Sequence, residues 1–98
     1  MMKNNKAISV AKGVFIVKND RGLHTRPSTE IVKCATSFKS EITLTYKKTN
    51  VNARSILGIL MLAAEKGSRI KITASGVDAQ EAVDAILNLA SSSFYLKY

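Results

Sequence analysis

Ninety-eight residues with 15 Lys and Arg against 7 Asp and Glu give a formal net charge of +8, and 46% of the residues are hydrophobic. A chain of this length builds one domain around one core and is too small for a deep cleft with its own bound cofactor, so catalysis by the chain alone is not expected. A single cysteine excludes an internal disulfide framework and suits a reducing compartment, and the longest apolar run, Ile56 to Ala64, is far shorter than a membrane span.

Met1 to Lys12 is polar and basic and reads as a flexible N-terminal extension, leaving residues 13–98 as a single domain. Lys12 interrupts the apolar stretch a signal peptide needs, so a cytoplasmic protein is expected. Val14 to Lys18 is rich in β-formers and reads as the first strand, and Asn19-Asp20-Arg21-Gly22 is a loop that delivers the only histidine, His24.

Gly22-Leu23-His24-Thr25-Arg26-Pro27-Ser28 holds that histidine together with the only proline. Proline suits the first turn of a helix, where the amide hydrogen it lacks would have no partner, so a helix is expected to begin near Arg26 or Pro27. The opening amides of a helix carry roughly half a positive charge and form a ready site for an anion. An imidazole at that mouth is a nucleophile near neutral pH, and a phosphoryl group attached to it would be held by the amides of Thr25 and Arg26 and by the Arg26 guanidinium. On spacing alone, a lone histidine in a turn before a helix is more often a helix cap or a surface residue, and that reading is the better one until the wider sequence is considered.

From Pro27 to about Ser37, Ile31, Cys34, Ala35 and Phe38 recur at helical spacing, which places Cys34 on a core-facing stripe. Glu41 to Tyr46 alternates and reads as a half-buried strand, and Lys47-Lys48 turns the chain into a third short strand, Thr49 to Ala53. Lysine does not favour the positive φ that a tight hairpin needs, so the turn and register stay open. Ser55 reads as the N-cap of a second helix running to about Lys66 and stopping at Gly67. That helix is apolar almost all round, more than one sheet-facing stripe requires; either both stripes are buried, or the second is exposed beside His24 as a docking surface. Arg69 to Ser75 is a fourth strand, and Ala82, Val83, Ala85, Ile86, Leu89 and Ala90 give a third helix after Asp78. Ser91 to Tyr98 is aromatic and either extends that helix or folds back on the sheet.

The order βαββαβα implies an α+β, two-layer open-faced sandwich, with helices on one face of the sheet and the other face open. Nothing in the sequence has metal-ligand spacing, and neither a metal nor a cofactor is expected. The positive charge favours an acidic protein partner. A basic nucleic-acid-binding module is the alternative from a different class. Against it, the basic residues are scattered singly and Phe15, Phe38, Tyr46, Phe94, Tyr95 and Tyr98 form no interleaved stacking pattern.

Gly22-Leu23-His24-Thr25-Arg26-Pro27 closely resembles the phosphorylation-site motif of the HPr family, the histidine-containing phosphocarriers of the phosphoenolpyruvate-dependent sugar phosphotransferase system. Val51-Asn52-Ala53-Arg54-Ser55-Ile56-Leu57-Gly58 resembles the segment around that family's regulatory serine, and the likeness runs on through Ser40 to Thr45 and Lys66 to Gly76, about residues 13 to 90 in all. The resemblance implies a four-stranded antiparallel sheet with three helices, and a monomer that is a phosphocarrier and not an enzyme. His24 would take a phosphoryl group from phosphorylated enzyme I and hand it to an enzyme IIA. Arg26 would stabilise the phosphate and Pro27 fix the helix start. Ser55 would be the target of an HPr-type Ser kinase/phosphorylase. Thr25, Arg26, Ile56, Leu57, Leu60 and Met61 would face partners, while Ile59, Leu62 and Ala63 face the core. Arg21 stands where the family usually has a small polar residue; it either strengthens phosphate or partner binding or points into solvent. A regulatory relative that signals carbon or nitrogen status without sugar transport is the alternative within the family.

Overall fold

In a computed structural model, which describes residues 8–96, four strands form one antiparallel sheet in the order β1-β4-β2-β3. These are β1 (Ser9–Ile16), β2 (Glu41–Tyr46), β3 (Thr49–Asn52) and β4 (Arg69–Gly76). The helices are α1 (Thr25–Thr36), α2 (Ile56–Met61) and α3 (Ala79–Ser91). Alternation along the strands decides the layers. Phe15, Ile42, Leu44, Ile70, Ile72 and Ala74 are buried under the helices together with Ile31, Ile59, Val83 and Ile86, and the strand positions that alternate with them face outward. Each buried Val, Leu, Ile or Phe side chain among them contributes about 1.5–3 kcal/mol.

The first strand starts earlier than its residues suggest. β1 is paired along its whole length, from Ser9 opposite Gly76 to Ile16 opposite Arg69, so Ser9 to Lys12 are part of the sheet. Residues 1–7 of the expected N-terminal extension lie outside the described residues. The alternation is hidden because Val10, Val14 and Ile16 are exposed on the outer face, while the inner positions include Ala11 and Gly13, both too small to signal burial. Gly13 has a packing reason: a Cβ there would stand 2.8 Å from Val83 Cγ1 and 3.1 Å from Leu87 Cδ1 of α3.

The hairpin closes through Lys47-Lys48 with Tyr46 opposite Thr49 and Leu44 opposite Val51. Lys47 takes φ 57°, and its ammonium sits 5.2 Å from the centroid of the Tyr46 ring, a contact that helps to hold a conformation lysine does not favour.

Asp78 sits at the N-cap of α3 without bonding that helix through its side chain. Its carboxylate accepts instead from the backbone amides of Lys39 and Ser40, both at 2.9 Å, and from Ser40 Oγ at 2.6 Å. The Lys39 amide foremost, then the Ser40 hydroxyl, hold it below the usual carboxylate range. Arg54 closes the same turn from the other side, donating to the carbonyls of Phe38 and Ser40.

After α3 the chain folds back. Ser93, Phe94 and Tyr95 form a short 3-10 turn with φ of 53°, 60° and 63°, and Phe94 is buried edge-on against Phe15, ring centroids 5.8 Å apart at 72°. Asn19 Nδ2 donates to the Ser93 carbonyl, so the tail is tied to the loop that precedes His24.

Candidate functional site

α2 is the element that departs most from its sequence pattern, and the departure builds the site. It ends at Met61, capped by Leu62, and Ala63 takes φ 52°, well before the Lys66–Gly67 stop that the sequence suggests. The left-handed turn exposes Ala63, which was expected to face the core, and buries Ala64. The Ala64 carbonyl accepts the Leu23 amide at 2.9 Å. Gly22 makes this approach possible: at φ 68°, a Cβ there would stand 2.2 Å from Ala64 O. The Gly22 amide in turn donates to Asn19 O. The loop carrying His24 is thus clamped between the end of α2 and its own turn.

His24 is the N-cap of α1, with extended backbone (φ −78°, ψ −167°), and its carbonyl accepts the Ser28 amide at 3.1 Å. The helix therefore starts at Thr25, one residue ahead of the range expected from Pro27, which is buried beneath the first turn. Ser28, also buried, donates through Oγ to the Leu23 carbonyl and fixes the approach of the chain from within. No acidic residue lies in the first turn, so nothing there offsets the positive end of the helix.

Arg21, His24, Thr25 and Arg26 line one cleft of ≈ 680 Å³, open to solvent. Burial foremost, then the charges of Arg21 and Arg26, hold the His24 ring below the ordinary histidine value. All three causes disfavour a cation. The ring is thereby kept as a neutral imidazole, beside a helix end and two arginines that make the cleft positive. Nε2 is buried.

Ser55 caps α2 from the opposite end, its Oγ accepting the Gly58 amide at 2.9 Å. A helix of this length spans roughly 9 Å, which separates Ser55 from the clamp at Ala64. Between them Ile56, Leu57 and Met61 are exposed, Leu57 and Met61 at 68% and 72%, while Leu60 is half-buried and Ile59 and Leu62 are buried. The structure brings His24, Thr25 and Arg26 together and sets Ser55 apart from them.

A model of the family described as the PTS HPr component phosphorylation site matches residues 11–92. The chain belongs to the HPr family. A phosphocarrier protein HPr of Neisseria meningitidis serogroup A is 41% identical over 76 residues, 78% of this chain and 85% of that one. The solved HPr of Thermoanaerobacter tengcongensis superposes with a TM-score of 0.85 at 35% identity, covering 90% of this chain and 99% of its own. Bacillus subtilis Crh, a catabolite-repression protein solved as a domain-swapped dimer, does so with a TM-score of 0.65 at 32% identity, covering 81% and 86%. Members of the HPr family are phosphocarriers of the phosphotransferase system, not catalysts, and the four-stranded antiparallel sandwich is theirs.

Three features escape a reading of the motif. Arg21 shares the cleft, where the sequence left its direction open. The Gly22–Ala64 contact is a meeting of two backbones distant in sequence, which no local pattern signals. Cys34 is half-buried and packs against the edge of the core; it lies in a groove with Glu30, Lys33 and Ala85 between α1 and α3, and burial pushes its thiol up, away from the reactive thiolate. Among the described residues no group of His, Cys, Asp and Glu could hold a metal ion, and no helix is long and apolar enough to cross a membrane.

Proposed function

We propose that the chain accepts a phosphoryl group on His24 from phosphorylated enzyme I and passes it to an enzyme IIA in the cytoplasm. The observation that carries this is a histidine held neutral at the N-cap of α1, in a cleft walled by arginines at a helix end without acidic residues. Burial of Nε2 directs the chemistry to Nδ1. Its lone pair forms the new bond to phosphorus as the donor's bond to phosphorus breaks, and the pair of the broken bond leaves with the donor. The amides of Thr25 and Arg26 and the Arg26 guanidinium receive the charge spread over the three phosphoryl oxygens. The exposed stripe Ile56, Leu57 and Met61, with Leu60 at its border, offers partners an apolar landing on α2, whose end is bonded to the loop that carries His24.

Ser55 is the site of regulation by an HPr-type Ser kinase/phosphorylase. A phosphate there suits the N-terminus of α2 and leaves the helix intact, but puts about two negative charges beside the landing stripe, so it weakens docking and not folding. The likeness to Crh favours a second reading, in which the same chemistry serves carbon regulation and phosphate reaches a regulatory acceptor only.

Intact mass after incubation with phosphoenolpyruvate, Mg²⁺ and enzyme I, beside His24→Ala, tests the reading. One acid-labile phosphoryl group in the wild type alone is expected. No gain with the host's own enzyme I, shown active on another carrier, would refute it. Supplying purified enzyme IIA proteins afterwards separates transport from regulation.

A further inference from the structure

We propose that Arg21 supplies a second guanidinium to the phosphoryl group on His24, so that the phosphate is held between two arginines and the end of α1. This rests on the phosphocarrier reading above. Arg21 and Arg26 approach the histidine from different sides of the chain, Arg21 from the turn before it and Arg26 from the first turn of the helix after it, and both line the same cleft. The turn that carries Arg21 is rigid. The Gly22 amide bonds back to Asn19 O, the Leu23 amide is bound to Ala64 O, and Asn19 is buried and tied to Ser93. A cation set there is preorganised and need not be recruited from solvent.

The neighbouring charges are arranged so that this cation is available. Among the described residues the ion pairs are Lys33 with Glu30 and Lys66 with Asp20. Asp20, the carboxylate next to Arg21 in sequence, is thus engaged by Lys66 3.0 Å away, and the cleft itself contains no acid. The field of Arg21 already reaches the ring, where it ranks ahead of Arg26 in opposing a positive charge on His24. A group that disfavours an imidazolium from this position favours a dianionic phosphoryl group in the same place, by the same Coulomb interaction with opposite sign. Guanidinium also offers paired donors in a planar fork that fits phosphate oxygens, and two forks on one phosphoryl group donate to more of its oxygens than the helix amides and one arginine can.

The test separates this role from partner docking. His24 is the only histidine, so phosphoramidate, a small phosphoryl donor, labels it without any partner protein. The ³¹P resonance of the labelled chain is then followed through its second phosphate ionisation in the wild type, Arg21→Gln and Arg21→Lys. A second cation on the phosphate is expected to keep that ionisation low. Arg21→Gln should raise it, Arg21→Lys should restore it in large part, and Thr36→Ala, at an exposed position far along α1, should leave it unchanged. In parallel, Arg21→Gln should lower the equilibrium transfer of phosphate from enzyme I by about fivefold, as expected for a charge pair at a partly exposed site. An unchanged ³¹P titration in Arg21→Gln would overturn the proposal even if transfer slowed, because that pattern belongs to docking. If enzyme I fails to phosphorylate the wild type while the chemically labelled chain shows the Arg21 effect, the carrier reading falls and the phosphate site stands. A His24 that phosphoramidate does not label would overturn both.

Discussion

Phe94 decides whether the C-terminal turn belongs to the domain, and its truncation gives a large and measurable answer. The ring is 1% exposed and packs edge-on against Phe15 at 5.8 Å. Phe→Ala in a core costs about 3–5 kcal/mol, of which the aromatic pair accounts for roughly 0.5–1.5. The turn around it is held against its own preference, with Ser93, Phe94 and Tyr95 all at positive φ, a conformation that costs about 1–2 kcal/mol per residue. Without the ring the turn can let go and recover part of that strain, so the loss falls at the low end, about 3 kcal/mol. For a domain of this size each kcal/mol moves Tm by about 4–8 °C, and Phe94→Ala should melt at least about 12 °C below the wild type. Tyr95→Ala, at a position 75% exposed, should stay within about 0.5 kcal/mol of it. Since Asn19 donates to the Ser93 carbonyl, hydrogen exchange should also speed up at the Asn19–Gly22 turn in the Phe94 variant alone. A drop in Tm of under about 3 °C for Phe94→Ala, or equal drops for the two variants, would refute the docking of the tail.

Gly22→Ala should destabilise by about 1–2 kcal/mol for the left-handed backbone, and further for the Ala64 carbonyl that its Cβ would meet at 2.2 Å; a wild-type melting curve would contradict the clamp. Ser55→Ala removes the acceptor of the Gly58 amide and should cost about 1 kcal/mol in chemical denaturation, while Ser55→Asp should retain most of the stability. His24 should titrate below its unfolded value of about 6.5. The unfolded chain therefore binds this proton more readily than the native one, and stability present above that value is lost as pH falls through it toward the native value. Denaturation between pH 5 and 8, run beside His24→Gln, should show that loss in the wild type and a flatter profile in the variant.

The fold was legible wherever one face of an element is plainly apolar. β2 and β4 alternate, and α1 and α3 carry a stripe, so their places follow from period alone. The misses share a physical cause: long-range backbone contact overrides local pattern. α2 is apolar through Ala64 and could continue as a helix, but the turn at Ala63 brings the Ala64 carbonyl to Leu23, a bond between segments that only the fold makes neighbours. β1 hides its alternation because its outer face keeps Val10, Val14 and Ile16 in water and its inner face thins to Gly13 under α3. The left-handed tail has no glycine to announce it.

The candidate site shows the same division between local and distant causes. His24, Arg26 and Pro27 are contiguous, so their grouping at a helix start needs nothing but helix geometry. What the motif does not supply is the bracing of the loop, and the proposed phosphate chemistry would depend on it. A neutral imidazole is a useful acceptor only if the groups that will hold the phosphate are in place before it arrives, since reorganising them during transfer would raise the barrier. Here the turn before His24 is held by Ala64 from the end of α2 and by Ser93 from the tail, and the residue after Leu23 begins a helix anchored by buried Pro27 and Ser28. Ser55 stands at the far end of the same α2 whose near end makes the clamp. On the proposed function, a phosphate there would act on the docking surface that α2 would present and would leave the clamp, and the acceptor chemistry proposed for His24, as they are.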